Sequence, residues 1–173
     1  MEPMIRVETV LDSWKTVRQD TAQAVEEFAA GELDFKIAPD VMSFRDAARH
    51  ILDAGNALAG LLLDGEENLA TPDVREKMKR YFSSLPADAD PAALAAELRQ
   101  SMDRLTTALA AQPAEFFSHL ITRMDGQRVT RLEMVQFAKE HEMTHRAQLF
   151  LCLRCKGMVP ATTRRRQTRP AAK

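Results

Sequence analysis

The sequence predicts an all-α protein, namely a four-helix bundle with a long crossing connection and a short extra helix. Apolar residues recur every three or four positions along most of the 173 residues, and no stretch shows sustained strand alternation with β-branched residues. Helix start signals made of serine, threonine, aspartate and proline precede the apolar runs. Four of these runs have the length that the helices of a bundle need.

The first two long helices have recognisable boundaries. The first should cover residues 4–30, because Gly31 is a common stop residue. Its expected buried stripe consists of Val7, Val10, Leu11, Trp14, Val17, Val25 and Phe28. After a connector, Ser43 and Asp46 resemble a capping box that starts the second helix. This helix should end near residues 64–65, an Asp-Gly pair.

The next segment carries a short helix and the third long helix. Thr71 and Pro72 offer an N-cap with proline at the first helical position, which predicts a short helix over residues 71–82. We expect this helix to be an insertion outside the bundle. Asp90, followed by proline, repeats the same start signal, and the third long helix should run from there to about Pro113.

The fourth long helix begins at a second capping box, which Thr130 and Glu133 form. The apolar run continues from there to Lys156. Gly157 follows at the position where a left-handed residue ends many helices. The fourth helix should therefore end just before this glycine.

Composition and charge indicate the class of protein. Apolar residues make up 45% of the chain and charged residues 28%, which is typical of a globular domain, and we assign a single domain to residues 1–160. Residues 161–173 contain five basic residues and no acid, so we expect a disordered, solvated tail there. A nucleic-acid partner is not expected, because this tail has no aromatic residue.

The sequence indicates neither a membrane segment nor a disulfide framework. The longest apolar run, residues 57–63, is far shorter than the roughly 20 residues that cross a bilayer. The N-terminal residues do not form a charged and then apolar leader. Two cysteines give no disulfide framework. We therefore expect a cytoplasmic protein without membrane partners.

Two histidines in the predicted fourth helix point to a metal site. His141 and His145 are four residues apart, so their side chains project from the same face of an α-helix. Imidazole nitrogen is a ligand for zinc, nickel, iron and copper, and bundle interiors often hold such sites. Two ligands bind weakly, and His50, in the apolar second helix, is the candidate third ligand. The alternative is that one histidine joins a polar network in the core and another lies at the surface.

The segment from His141 to His145 also matches the HExxH motif of zinc peptidases. In that motif the glutamate, here Glu142, is the general base. Gluzincins and metzincins take a third ligand downstream, but no histidine, aspartate or glutamate follows His145. Glu142 is also about 100° from His141 around the helix axis, so we expect it to point sideways. A metallopeptidase is therefore the less favoured alternative.

The segments that contain these histidines resemble a known family. Residues 43–50 read SFRDAARH, and residues 141–153 read HEMTHRAQLFLCL, with Gly157 and Pro160 after them. With one histidine in the second helix and an HxxxH pair in the last, the chain is similar to the DinB-like superfamily of small bacterial metal-binding four-helix bundles. Ala147 departs from the pattern, since many members have glycine there.

The resemblance implies a three-histidine metal site at His50, His141 and His145. It implies a divalent cofactor, Zn²⁺ or Ni²⁺ first and Mn²⁺ or Fe²⁺ otherwise. Characterised relatives include S-transferases that use bacillithiol or related low-molecular-weight thiols, and a mycothiol-dependent isomerase. The implied function is a metal-dependent enzyme, a thiol-dependent S-transferase or a hydrolase, that acts on a small molecule. The alternative is a non-catalytic metal-binding stress-response protein, and homodimers are frequent among similar proteins.

Among the other candidate residues, Gln148 and Asp53 have two interpretations each, and the two cysteines and His119 have one. Gln148 shares the histidine face and either bonds to a bound water or substrate or is a core amide. Asp53 either orients a ligand imidazole or is exposed. Cys152 and Cys155 lie within the last helix and are expected to be buried and inert. His119 is expected to be an ordinary residue at the end of the third helix or in the next loop.

Overall fold

The computed structural model of the protein describes residues 6–168, which form seven helices and one β-hairpin. The elements in chain order are α1 (Val7–Glu27), α2 (Phe44–Leu63), α3 (Val74–Lys79), α4 (Pro91–Ala110), α5 (Ala114–Ser118), β1 (Leu120–Thr122), β2 (Arg128–Thr130), α6 (Arg131–Cys155) and α7 (Ala161–Gln167). A short 3₁₀ turn (Ala30–Glu32) follows α1. Met4, near the predicted start of the first helix, lies outside the described residues. Within residues 6–168, no helix has both the length and the apolar character to cross a bilayer.

The four long helices α1, α2, α4 and α6 form a four-helix bundle, as the sequence predicts. α1 packs against α4 and α6, and α2 packs against the same two helices. The consecutive helices α1 and α2 therefore lie diagonally across the bundle, and residues 28–43 make the long crossing connection between them. The short α3 packs against α2.

Side-chain caps start three of these helices, and the sequence predicts all three. Ser43, Asp90 and Thr130 each accept a hydrogen bond from the backbone N–H three residues later, which satisfies a donor that the first helical turn leaves free. Gly65 and Gly157 have φ angles of 81° and 75°, a left-handed conformation that glycine adopts without steric cost. The predicted boundaries of α2 and α6 are thus confirmed.

Two other predicted helix boundaries differ from the structure. α1 ends before Phe28, whose backbone is extended and whose ring stacks on Phe44 at a centroid distance of 3.8 Å. The helix therefore stops ahead of Gly31. α3 begins at Val74, because the Val74 N–H donates to the Thr71 carbonyl and closes a turn before the helix.

A β-hairpin between α5 and α6 is missing from the prediction of an all-helical chain. Leu120–Thr122 pairs antiparallel with Arg128–Thr130, and Gly126, at a φ of 84°, lies in the turn between them. Ile121 is fully buried. Each strand has only three residues, which are too few for an alternating pattern to be recognised in the sequence.

The described part of the basic tail also differs from expectation. Residues 161–167 form α7, which packs along α1. Arg164 pairs with Glu27 at 2.6 Å, and Arg165 pairs with Asp20. The expectation of a disordered tail does not hold for α7, because acidic residues of α1 provide partners for its arginines.

The apolar core consists of two clusters with polar side chains between them. One cluster contains Phe44 and Leu98, and the other contains Leu61 and Met134. Four buried polar side chains lie between the clusters, and we call them the polar layer: Arg18, Thr21, Ser101 and Glu142. The candidate functional residues of α2 and α6 lie at the level of this layer.

Candidate metal centre

Three histidines from two neighbouring helices converge beside the polar layer. α2 contributes His50, and successive turns of α6 contribute His141 and His145. One ring nitrogen of each histidine lies within 4.8 Å of the others, and the Nε2 atoms of His50 and His141 are 2.9 Å apart. All three residues are partly buried. The structure thus brings together the three histidines that the sequence singles out.

The surroundings of these histidines favour neutral imidazoles. Burial, followed by the neighbouring His145 and His50, lowers the pKa of His141 to about 4. Burial also lowers the pKa of His50; His145 adds to this shift, and Asp53 opposes it. A neutral imidazole keeps a lone pair on one ring nitrogen, and this is the form that binds a metal ion.

Gln148 and Asp53 flank the cluster and contact different groups. Gln148 is exposed rather than a core amide, and its Oε1 lies 3.0 Å from His145 Nδ1. A proton on Nδ1 in this hydrogen bond leaves the imidazole lone pair on Nε2. Asp53 is partly buried and accepts a hydrogen bond from the Ser83 N–H at 2.8 Å. Asp53, which lies one turn after His50 in α2, therefore joins the segment after α3 to this helix.

Glu142 faces α1 rather than the three histidines. Its carboxylate accepts hydrogen bonds from Trp14 Nε1 at 2.8 Å, from Arg18 Nε at 2.9 Å and from Thr21 Oγ1 at 2.9 Å. The residue is only 2% exposed. Because its oxygens are bonded to three side chains of α1, Glu142 is not placed to act as the general base of an HExxH peptidase. The predicted sideways orientation is confirmed.

Arg18 is the buried partner of Glu142 that the sequence analysis missed. The guanidinium is fully buried, and it also donates to the Leu98 carbonyl and to Ser101 Oγ. Gly55 of α2 leaves room for it, because a Cβ at that position would lie 2.6 Å from Arg18 Nη2. The available signal was a charged residue within the predicted apolar stripe of α1, since such a residue needs a buried partner.

The remaining candidates from the sequence lie outside the histidine cluster. His119 is exposed, and its Nε2 lies 2.9 Å from Glu67 Oε1. Cys152 is buried, and burial raises the pKa of its thiol, as expected for an inert cysteine. Cys155 is exposed, which corrects the expectation that both thiols are buried.

A cleft of about 420 Å³ opens beside two of the histidines. His50 and His141 form part of its wall, together with residues of α3 and with Met124 from the turn of the hairpin. Phe137, one turn before His141, faces the imidazole at a centroid distance of 6.2 Å. Cavities of this size accommodate small organic molecules. The histidine cluster is therefore accessible to such a molecule.

These features define a four-helix bundle with a three-histidine cluster that opens onto a small-molecule cleft. Residues 13–149 match the DinB superfamily, and the chain therefore belongs to this superfamily. The matched region includes all of α2 and most of α6, and with them the three histidines. Among curated protein sequences, none matches the chain.

Solved structures of low sequence identity share the fold. A DinB-like protein from Bacillus subtilis has a TM-score of 0.68 at 20% identity, and the alignment covers 87% of this chain and 93% of that protein's chain. YfiT from Bacillus subtilis, described as a probable metal-dependent hydrolase with an unusual four-helix bundle topology, has a TM-score of 0.63 at 20% identity, with coverages of 91% and 93%. A mycothiol-dependent maleylpyruvate isomerase has a TM-score of 0.62 at 16% identity, with coverages of 84% and 61%.

Proposed function

We propose that the chain is a metal-dependent enzyme in which His50, His141 and His145 hold one divalent cation. The observation that carries this proposal is the set of three imidazole nitrogens within 4.8 Å of one another, beside a cleft of small-molecule size. Two nitrogens that bind one tetrahedral zinc ion are roughly 3.4 Å apart, so small side-chain adjustments suffice. Zn²⁺ or Ni²⁺ suits three imidazoles best, and Mn²⁺ or Fe²⁺ are the alternatives.

The chemistry of the donor set fits a catalytic site better than a closed structural one. A divalent ion with three protein ligands keeps an open coordination position and supplies Lewis acidity to a thiol or a water. The contact of Gln148 with His145 Nδ1 is the kind of hydrogen bond that orients a ligand imidazole. Glu142 joins α6 to α1 through its salt bridge with Arg18. This contact helps to position α6, and with it His141 and His145, along the bundle.

The proposed reaction adds a thiol or a water to an electrophilic small molecule. The names of two proteins with the same fold support this choice, since one is a probable metal-dependent hydrolase and the other a mycothiol-dependent isomerase. A low-molecular-weight thiol is the proposed co-substrate of a transferase, whereas a hydrolase needs water alone. Both reactions require the same three histidines, so the ligands do not distinguish them.

Elemental analysis of the purified chain tests the metal assignment. We expect about one equivalent of metal in the wild type and a loss of metal in His50→Ala, His141→Ala and His145→Ala, because two histidines bind a metal weakly. His119→Ala is the matched control, since His119 is exposed, pairs with Glu67 and lies outside the cluster. Unchanged metal content in all three cluster variants would contradict the proposal.

Assays with the metal-loaded chain test the reaction. The electrophile is monochlorobimane or an epoxide, offered with a series of low-molecular-weight thiols, and esters are offered without a thiol. A transferase should consume the electrophile only with both metal and thiol, and a hydrolase should cleave an ester without thiol. His141→Ala should abolish either activity, whereas His119→Ala should retain it. A metal-loaded chain that is inactive in every assay would favour a non-catalytic metal-binding protein.

A further inference from the structure

The cleft beside the histidines has an apolar wall that metal binding does not use. α3 and the segment after it contribute Met78 and Phe82, the turn of the hairpin contributes Met124, and α6 contributes Phe137. Phe82 and Met124 are each 44% exposed, which leaves large apolar surfaces in contact with solvent. These side chains offer an apolar surface to a molecule in the cleft.

Two cations of α3 line the same cleft. Arg75 and Lys79 are four residues apart, so they lie on one face of the helix. Among the residues that the structure describes, no acidic residue lines the cleft. Lys79 pairs with Glu76 at 2.7 Å on the exposed surface, and no ion pair within residues 6–168 involves Arg75. The wall of the cleft is apolar and includes the alkyl stems of Arg75 and Lys79, whereas the charged groups of these exposed residues lie at its edge.

We propose that this cleft binds a small organic anion as the substrate, with its apolar body against Phe82, Met124 and Phe137 and its carboxylate held by Arg75 and Lys79. A guanidinium donates two parallel hydrogen bonds to a carboxylate, and an ammonium adds a compact charge. The assignment of this anion as substrate rests on the proposed metal-dependent function. Binding of the anion in the cleft does not require the metal.

Calorimetry with phenylbutyrate, and with phenylbutanol as its uncharged counterpart, tests the inference. We expect the carboxylate to bind the wild type about tenfold more tightly than the alcohol. The double variant Arg75→Gln with Lys79→Gln should remove this difference and leave binding of the alcohol unchanged. Lys36→Gln with Arg104→Gln is the matched control. Both residues are exposed and lie outside the cleft, and the two substitutions remove the same amount of positive charge.

The same titrations with zinc-loaded and with metal-free protein separate this inference from the proposed function. A carboxylate preference that depends on Arg75 and Lys79 in both forms supports the cleft, whether or not the enzyme assays succeed. A preference that disappears when the metal is removed overturns the inference, because the carboxylate then binds the metal. Equal affinity for the two probes, an absence of saturable phenylbutyrate binding, or an unchanged preference in the double variant also overturns it, even in a protein that binds metal.

Methionine methyl NMR locates the bound probe. Of the nine methionines, Met78 and Met124 line the cleft, whereas Met143 is exposed outside it. Single Met→Leu variants assign the signals. We expect phenylbutyrate to shift the methyl signals of Met78 and Met124 and to leave that of Met143 unchanged. Shifts at Met143 without shifts at the two cleft methionines would overturn the inference.

Discussion

Glu142 and Arg18 form a salt bridge of 2.9 Å in which both side chains are buried. Transfer of two charges from water to the interior is costly, and the additional hydrogen bonds from Trp14 and Thr21 offset part of that cost. The pair joins α1 to α6 at the height of the histidine cluster. Glu142 therefore contributes to the fold, although its neighbour His141 is a candidate ligand.

Glu142→Gln should lower the free energy of unfolding by about 3 kcal/mol, because it leaves the Arg18 charge buried without a counter-charge. Chemical denaturation measures this change. Glu140→Gln is the control, since Glu140 is exposed and accepts a hydrogen bond from Gln136, and it should change stability by less than about 0.5 kcal/mol. The double variant Arg18→Met with Glu142→Met should be more stable than Glu142→Gln. Wild-type stability of Glu142→Gln would refute the structural role.

The sequence reveals the histidines more readily than the salt bridge. His141 and His145 identify each other by their spacing, which is a local property of one helix. Arg18 and Glu142 are 124 positions apart, and only the packing of α1 against α6 brings them together. The sequence shows a charged residue in an apolar stripe, but the identity of its partner depends on tertiary structure.

Among the elements, α3 contributes to the wall of the cleft, and α3 and the segment directly after it are held to α2 by three kinds of contact. Gly60 of α2 lets the Tyr81 ring approach, since a Cβ at position 60 would overlap the ring. The Tyr81 hydroxyl donates to Asp64 at the end of α2. Lys77 of α3 pairs with Glu66, just after α2, at 2.8 Å. Changes in these contacts should alter the position of Arg75 and Lys79 in the cleft.

The contact between Glu66 and Lys77 should weaken in acid. The hydrogen bond from Lys77 lowers the pKa of Glu66 from its ordinary value of 4.5. The stabilisation is therefore present above pH 4.5 and is lost as the pH falls through the lowered pKa. Tyr81 is the only tyrosine and lies two residues after α3, so the NMR signal of incorporated fluorotyrosine reports on the end of this segment. We expect this signal to change only below pH 4.5 in an acid titration.

Two variants test whether Glu66 is the group that causes this acid transition. Glu66→Gln should remove it, because the carboxylate that joins Lys77 to the segment after α2 is then absent, whereas Asp73, 3.5 Å from Lys77 Nζ, directly precedes α3 itself. Glu76→Gln is the control, since the pair of Glu76 and Lys79 lies within α3 itself, and it should retain the transition. The same acid transition in the wild type and in Glu66→Gln would show that another group controls the position of α3.

Helix starts are predictable from this sequence, whereas the shortest elements are not. The caps Ser43, Asp90 and Thr130 bond to backbone groups three residues away, so the local sequence is sufficient. β1 and β2 have three residues each, and α7 is held by ion pairs such as that of Arg164 with Glu27. Tertiary contacts of this kind leave no periodic pattern in the sequence.

For the molecule as a whole, α7 covers part of α1 through ion pairs that remain in contact with solvent. The side chains of Arg164 and Arg165 are 45% and 56% exposed. Exposed ion pairs contribute little free energy, and salt screens them. α7 is therefore expected to detach from α1 at a much lower cost than that of unfolding the bundle.

Arg164→Gln with Arg165→Gln should release α7 while lowering the free energy of unfolding by less than about 1 kcal/mol. Hydrogen exchange over residues 161–167 should become faster, and high salt should have the same effect on the wild type. Arg166→Gln, in the same helix, is the control and should leave the exchange rate unchanged. Slow exchange in the double variant would indicate that apolar contacts, and not ion pairs, hold α7 on α1.

Trp14 is the only tryptophan of the chain, and it is fully buried. Its indole N–H donates to Glu142, so the fluorophore is bonded to the helix that carries two of the three histidines. Tryptophan emission responds to the polarity around the indole and to its hydrogen bond. The protein thus carries an intrinsic optical probe at the junction of α1 and α6. With this probe, displacement of α6 can be followed in real time in unlabelled protein.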